Sequence, residues 1–334
     1  MPQGRRLTFR QAQYGRAPGT RSLRWAARSS GLALCLLLCS GAYAQDTAPA
    51  QLSTEIGFGA EHQTSALVRL SPQGELISID GQRQLASSHL RLGVQGFANW
   101  QLGDALSMTF AGDASQKRTP ATSEFDFASA SLQPSLHLAT PMGSLGWGLT
   151  LQRIDVAGST LRDVRGTQLD WTVVEADGSL WATLVEFSGN RHPEAYADLD
   201  GSTTSVMLQR RLVQPGAGLE ALDFTAYLAR QRNHRGFDEL SYRSAMLSAT
   251  LQWRWGHWDW SAGTSLQTVQ FDASAFAQDA ARVDRAISLD LALEHELTPR
   301  QALRLEHSAA RSVSTQALYD NVYQQVAIKL RTTW

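Results

Sequence analysis

Histidine is the side chain best placed to move protons near neutral pH. The chain carries eight, and His62, His89, His137, His192, His234, His257, His295 and His307 are all of them. None has the H-x-x-x-H spacing that puts two imidazoles on one helical face for zinc. Ser88-His89 and His307-Ser308 are adjacent pairs. Adjacent residues of a strand face opposite sides, so neither pair forms a Ser–His dyad within its own strand. His192, Asp198 and Asp200 share one polar segment and are the remaining acid–base set, because loops can assemble sites. Gly93, Gly96, Gly146 and Gly148 lead into no helix and so form no phosphate loop.

The denser chemistry is ionic. Asp290, Glu294, Glu296, Arg304, Glu306, Lys329 and Arg331 crowd the polar positions of the last three amphipathic segments. Around a wet passage, such charges sort ions and solutes. On any wet sheet they also solvate a wall and fix register. The expectation is a protein that is not an enzyme, with no catalytic residue, no metal and no cofactor.

The segments that carry these residues have a period of two. In 287–297, Ile287, Leu289, Leu291, Leu293 and Leu297 alternate with Ser288, Asp290, Ala292, Glu294 and Glu296. Successive strand side chains point to opposite faces, so this is a strand with one apolar and one polar face. Leu90, Leu92 and Val94, then Leu145, Trp147 and Leu149, then Leu247, Leu251 and Trp253, repeat the pattern. Tight turns such as Pro141-Met-Gly-Ser144, Ala176-Asp-Gly178 and Gly256-His257 alternate with longer polar connections, including 157–163. Gly permits positive φ and Pro presets φ, which is why such runs turn the chain. The reading gives fourteen strands.

An even number of amphipathic segments, with short turns at one end and longer loops at the other, predicts a closed antiparallel transmembrane β-barrel. Closure is required in lipid, where each unpaired backbone group costs several kcal/mol. Tryptophan marks one end. Trp100, Trp147, Trp181, Trp253, Trp255, Trp258 and Trp260 lie near the tight turns, Trp171 near them too, and Trp334 ends the chain. Trp favours the membrane interface, so these are expected to form a periplasmic aromatic girdle.

Composition agrees. Charged residues are 18% of the 334, below the roughly 25% of soluble domains. No apolar run reaches the 18 or so residues of a membrane helix. Residues 1–44 hold seven arginines and no acid, then Leu32 to Cys39 and Ala42-x-Ala44. That is the pattern of a secretory signal peptide. Both cysteines, Cys35 and Cys39, lie in it, and beyond it 23 basic residues face 31 acids. The acidic balance excludes a dedicated nucleic-acid binder. The expected organisation is signal peptide 1–44, a periplasmic tail 45–52 and the barrel 53–334, with 64–87 a loop hairpin able to gate the lumen.

Val326, Ile328 and Leu330 on one face, followed by terminal Trp334, resemble the signal read by the barrel assembly machinery. The closing segments, Leu303-Arg-Leu-Glu306, Ser312-x-Ser314, Leu318-Tyr-Asp-Asn-Val322 and Val326-Ala-Ile-Lys-Leu330, resemble the end of the fourteen-stranded barrel in surface lipoprotein assembly modifiers. That family's helical tetratricopeptide-repeat domain has no counterpart in this sequence. The resemblance implies export of a protein or polymer to the cell surface. The single-barrel plan also suits a passive porin or uptake channel, and a structural barrel with a closed lumen is the third reading. Partners expected on this basis are outer-membrane lipid and lipopolysaccharide, the assembly machinery and an exported protein or polymer, but not nucleic acid. The expected location is the bacterial outer membrane.

Overall fold

The computed structural model describes residues 50–65, 83–120, 126–216, 219–273, 280–316 and 319–334. The segment 1–44 expected to be a signal peptide, most of the expected 45–52 tail and the centre of the expected gate, 66–82, lie outside the described residues.

Fourteen strands alternate along the chain: β1 (Gln51–Ser65), β2 (Arg83–Gln101), β3 (Leu106–Arg118), β4 (Phe127–Thr140), β5 (Gly143–Val156), β6 (Ser159–Val174) and β7 (Leu180–Arg191), then β8 (Gly201–Gly216), β9 (Leu219–Asn233), β10 (Tyr242–Trp255), β11 (Trp258–Phe271), β12 (Val283–Thr298), β13 (Gln301–Ser314) and β14 (Asn321–Thr333). Each pairs with its sequence neighbours, and β1 pairs antiparallel with β14, so the sheet is a closed all-β barrel. Closure leaves no strand edge to template pairing with another chain. At about 4.8 Å between strands and a tilt near 40°, fourteen strands enclose a backbone cylinder roughly 28 Å wide.

The barrel is inside-out relative to a soluble protein. Among the described residues only Val164, Tyr196, Ala221, Ala302 and Ala327 are buried apolar side chains. One parity of each strand exposes large apolar groups, as with Ile56 and Phe58, Leu149 and Leu151, Leu289 and Leu291. The opposite parity carries ion pairs that skip a strand, such as Lys117 of β3 to Glu61 of β1 at 2.6 Å. Side chains converge on the concave face and diverge on the convex one. The charged parity therefore lines the lumen and the apolar parity faces outward.

Two expectations need correction. The segment 157–163 is not a long loop. Ala157 and Gly158 form a two-residue turn with φ of 50° and 79°, and β6 begins at Ser159. Positive φ at both central positions matches the turn geometry to strand twist. The expected loop at 64–87 is also shorter, because β1 runs to Ser65 and β2 starts at Arg83. The polar residues Gln63-Thr-Ser65 and Ser87-Ser88 read as loop, but they continue the ladder with Gln63 opposite Leu85 and Glu61 opposite Ser87.

Candidate functional site: the lumen wall

The lumen charges come from strands that only closure brings together. Arg331 of β14 bonds Glu294 of β12. Arg304 of β13 lies 3.5 Å from Glu294 and 2.7 Å from Glu306. Lys329 reaches Glu306 at 2.8 Å and Glu55 of β1 at 3.0 Å. The result is a chain of alternating signs, Arg331–Glu294–Arg304–Glu306–Lys329–Glu55, that crosses the seam where the barrel closes. Six residues further along β1, a separate pair on the same face joins β1 to β3: Glu61 bonds Lys117 at 2.6 Å and receives the Ser87 hydroxyl at 3.1 Å. The sequence holds only two lysines, and both point inward onto a glutamate.

The seam has room for these side chains because β1 gives its own up. A Cβ on Gly57 would lie 2.8 Å from Lys329 Cγ, and one on Gly59 would lie 2.7 Å from His89 Nε2. His89 is fully buried there, with the Gln325 amide 3.1 Å from Nε2.

Of the seven predicted lumen charges, five belong to this chain: Glu294, Arg304, Glu306, Lys329 and Arg331. Asp290 stands inward in register with Gly263 and Ser308 but has no ion pair among the described residues. Glu296 is exposed next to a register shift at the short-turn end, and it too has no ion pair among the described residues. Glu55, Glu61, Lys117 and His89 were missed. Glu55 and Glu61 share the polar parity of β1, but their partners lie 274 and 56 residues away in sequence, as Lys329 and Lys117.

A second polar row lies across β4, β5 and β6. The Ser135 hydroxyl is 2.8 Å from His137 Nε2, and His137 Nδ1 is 3.7 Å from Asp170. Between them Gly146 pairs with both His137 and Asp170, and a Cβ there would lie 2.1 Å from the Asp170 carboxylate. The order of groups is that of a serine hydrolase. The row lacks the rest of the machinery. His137 is beyond hydrogen-bond reach of its carboxylate, and Ser135 sits in the ladder between Thr109 and Gly148. Amides committed to a ladder cannot converge as an oxyanion hole. The row is a hydrogen-bonded lumen wall.

The His192 set lies outside the strands. The His192 amide donates to Asp200 at 2.7 Å, and its ring lies 3.3 Å from the same oxygen. Burial pushes the imidazole below its usual pKa despite the pull of Asp200. Asp198 instead offers its carbonyl to the Asn233 amide at 2.5 Å. The set closes the β7–β8 loop onto the β9–β10 loop.

All nine tryptophans among the described residues share the outward parity and the short-turn end. Trp253 and Trp260 stack at 6.0 Å, Trp100 meets Phe110 edge-on at 5.4 Å, and Trp258 stacks on His295 at 4.3 Å. Trp334 donates its ring N–H to Thr54 and its amide to the Leu52 carbonyl, tying the last residue to β1. Val326 and Ile328 are exposed on the outer face of β14, with Leu330 on the same parity.

No protein-family model and no curated protein matches the chain. Its structure is similar to solved outer-membrane barrels. A loop-deletion form of OmpT, an outer membrane protein of Vibrio cholerae, aligns at 8% identity and TM-score 0.45 over 86% of this chain and 100% of that one. OccAB1 of Acinetobacter baumannii aligns at 7% and 0.47 over 85% and 96%. OpdL of Pseudomonas aeruginosa aligns at 12% and 0.44 over 85% and 98%.

Proposed function

We propose that the chain is an outer-membrane barrel that holds a water-filled path for small polar or charged solutes. The carrying observation is the contrast of its two faces. The convex face is an apolar band, and the concave face carries an alternating chain of cations and anions from Arg331 to Glu55 and a separate Glu61–Lys117 pair. Paired charges of both signs support a wet wall that favours no single bulky polyion.

Dimensions support a membrane span. On β10, Arg243 and Trp253 both face outward ten residues apart. That is roughly 34 Å along the strand and about 25 Å in height at 40° tilt, the height of an outer-membrane apolar band. Tryptophans at the short-turn end fit the periplasmic interface. The assembly machinery would then read Val326, Ile328, Leu330 and Trp334 on β14.

Export of a protein or polymer is the second reading. It is favoured by the likeness of the closing strands to the assembly-modifier barrel. Conductance of the refolded barrel in a planar bilayer separates the two. Steady conductance with measurable ion selectivity supports the solute channel. A silent barrel that opens only after deletion of residues 66–82 would overturn it in favour of gated export.

A further inference from the structure

The convex face carries a furrow that the channel reading does not use. Along β8 to β11 two adjoining recesses of about 570 Å³ and 510 Å³ open outward. They exist because Ala226, Ala245 and Ala249 stand on the outward parity beside Leu208, Phe224, Leu228, Leu247 and Leu266. The rims are strongly exposed, with Leu228 at 60%, Leu247 at 62% and Leu266 at 58%. The furrow is apolar for most of its length and basic at its long-loop end.

That end is electrostatically incomplete. Arg230 and Arg243 are direct cross-strand partners, and Arg232 lies two residues further along β9. Like charges facing across a ladder destabilise it. Arg230 is neutralised by Asp272, with one contact at 2.8 Å. Among the described residues, Arg232 and Arg243 are exposed and have no acidic partner. Their ladder neighbours are no help: Ser202 opposes Arg232, Thr204 opposes Arg230 and Gln270 opposes Arg243. Other arginines of this face vary. Arg165, Arg285 and Arg311 are exposed with no ion pair among the described residues, though none of them faces another arginine across the ladder. Some are answered. Arg153 holds Asp163 at 2.8 Å, and Asp163 also stands opposite Arg191.

We propose that this furrow binds a phosphorylated, multiply acylated glycolipid of the outer leaflet, of the lipopolysaccharide class. Arg232 and Arg243 hold a phosphate, and an acyl chain lies in the alanine-floored furrow below. Guanidinium forks match phosphate oxygens in pairs. The height of the arginines, about 25 Å above the tryptophans of β10, puts them at headgroup level. The proposal rests on the membrane orientation given above and not on what the lumen conducts.

The test titrates the refolded full barrel in detergent with purified bis-phosphoryl lipid A, with its dephosphorylated form and with inorganic phosphate, read by native mass spectrometry. Lipid A is expected to bind, the dephosphorylated form at least tenfold more weakly, and phosphate alone not measurably. R232Q/R243Q should weaken lipid A binding at least tenfold. Ala226→Phe should do the same with all charges intact. Heat-modifiable gel mobility checks that each variant folds, and unchanged bilayer conductance shows the channel to be a separate matter. Equal binding by the double variant, or equal binding of the dephosphorylated lipid, would overturn the proposal. So would a concentration-dependent dimer abolished by Ala226→Phe, which would make the furrow a contact between two copies.

Discussion

The lumen has two contrasting walls. The seam wall, from β12 through β14 and β1 to β3, is built of mutually neutralising charges. The wall of β4 to β6 is built of hydroxyls, amides and isolated acids such as Asp170. Both use strand glycines to seat large inward side chains, but in different ways. On the seam, a Cβ at Gly59 would meet a backbone oxygen, Val326 O, at 2.8 Å as well as His89. On the β4–β6 wall, the atoms nearest a Cβ at Gly146 are all of the Asp170 side chain. The seam is thus fixed by backbone spacing, and the other wall by a side chain that can swing away. Strands joined only by closure have no turn to hold their register, so the seam depends more on side-chain fit.

The first way to break this comparison is Gly59→Ala. It should cost about 1–3 kcal/mol from overpacking against backbone. Gly93→Ala has only Glu55 Cβ at 3.6 Å nearby and should stay within about 0.5 kcal/mol. Urea unfolding followed by heat-modifiable mobility measures both, and equal losses would erase the distinction. Gly146→Ala should fall between them, near 1 kcal/mol, because Asp170 can rotate.

Selectivity sharpens the same contrast. Glu294→Gln leaves Arg304 and Arg331 without their shared carboxylate and should shift the reversal potential toward anions severalfold in permeability ratio. Asp170→Asn on the other wall should shift it less than twofold, having only His137 beside it. Bilayer recordings under a salt gradient read both.

A smaller effect concerns pH. The folded β7–β8 loop favours neutral His192, so it binds fewer protons than the unfolded chain below the ordinary histidine pKa of about 6.5. Its stability therefore rises with pH through that window and is lost as pH falls. Protease nicking at 192–200 should increase below pH 6, and His192→Gln should flatten the profile. The smallest effect is expected at Ser135. Ser135→Ala should leave conductance unchanged, and a fluorophosphonate probe should not label the native barrel. Labelling at Ser135 would turn that wall into an active site.

Much of the barrel is legible in the chain because the period of a strand is short. Ile287 to Leu297 declares its two faces within eleven residues. The turn at Ala157-Gly158 was harder to read, since alanine seldom adopts positive φ and signalled nothing. The lumen set was half legible. Glu294, Arg304 and Arg331 are near in sequence and share a face, while Glu55 and Lys329 meet only through the β1–β14 ladder. His137 has neither zinc spacing nor a serine next to it in sequence, yet Ser135 two positions back shares its face.

Local alternation, turn residues and the placing of tryptophan are short-range properties, and the sequence alone determined the strand count, the polar and apolar faces and the aromatic end. Which charges neutralise one another, where arginines face each other and where alanines open a furrow depend on cross-strand register. Register is set by closure of the whole sheet, so only the tertiary structure decided them.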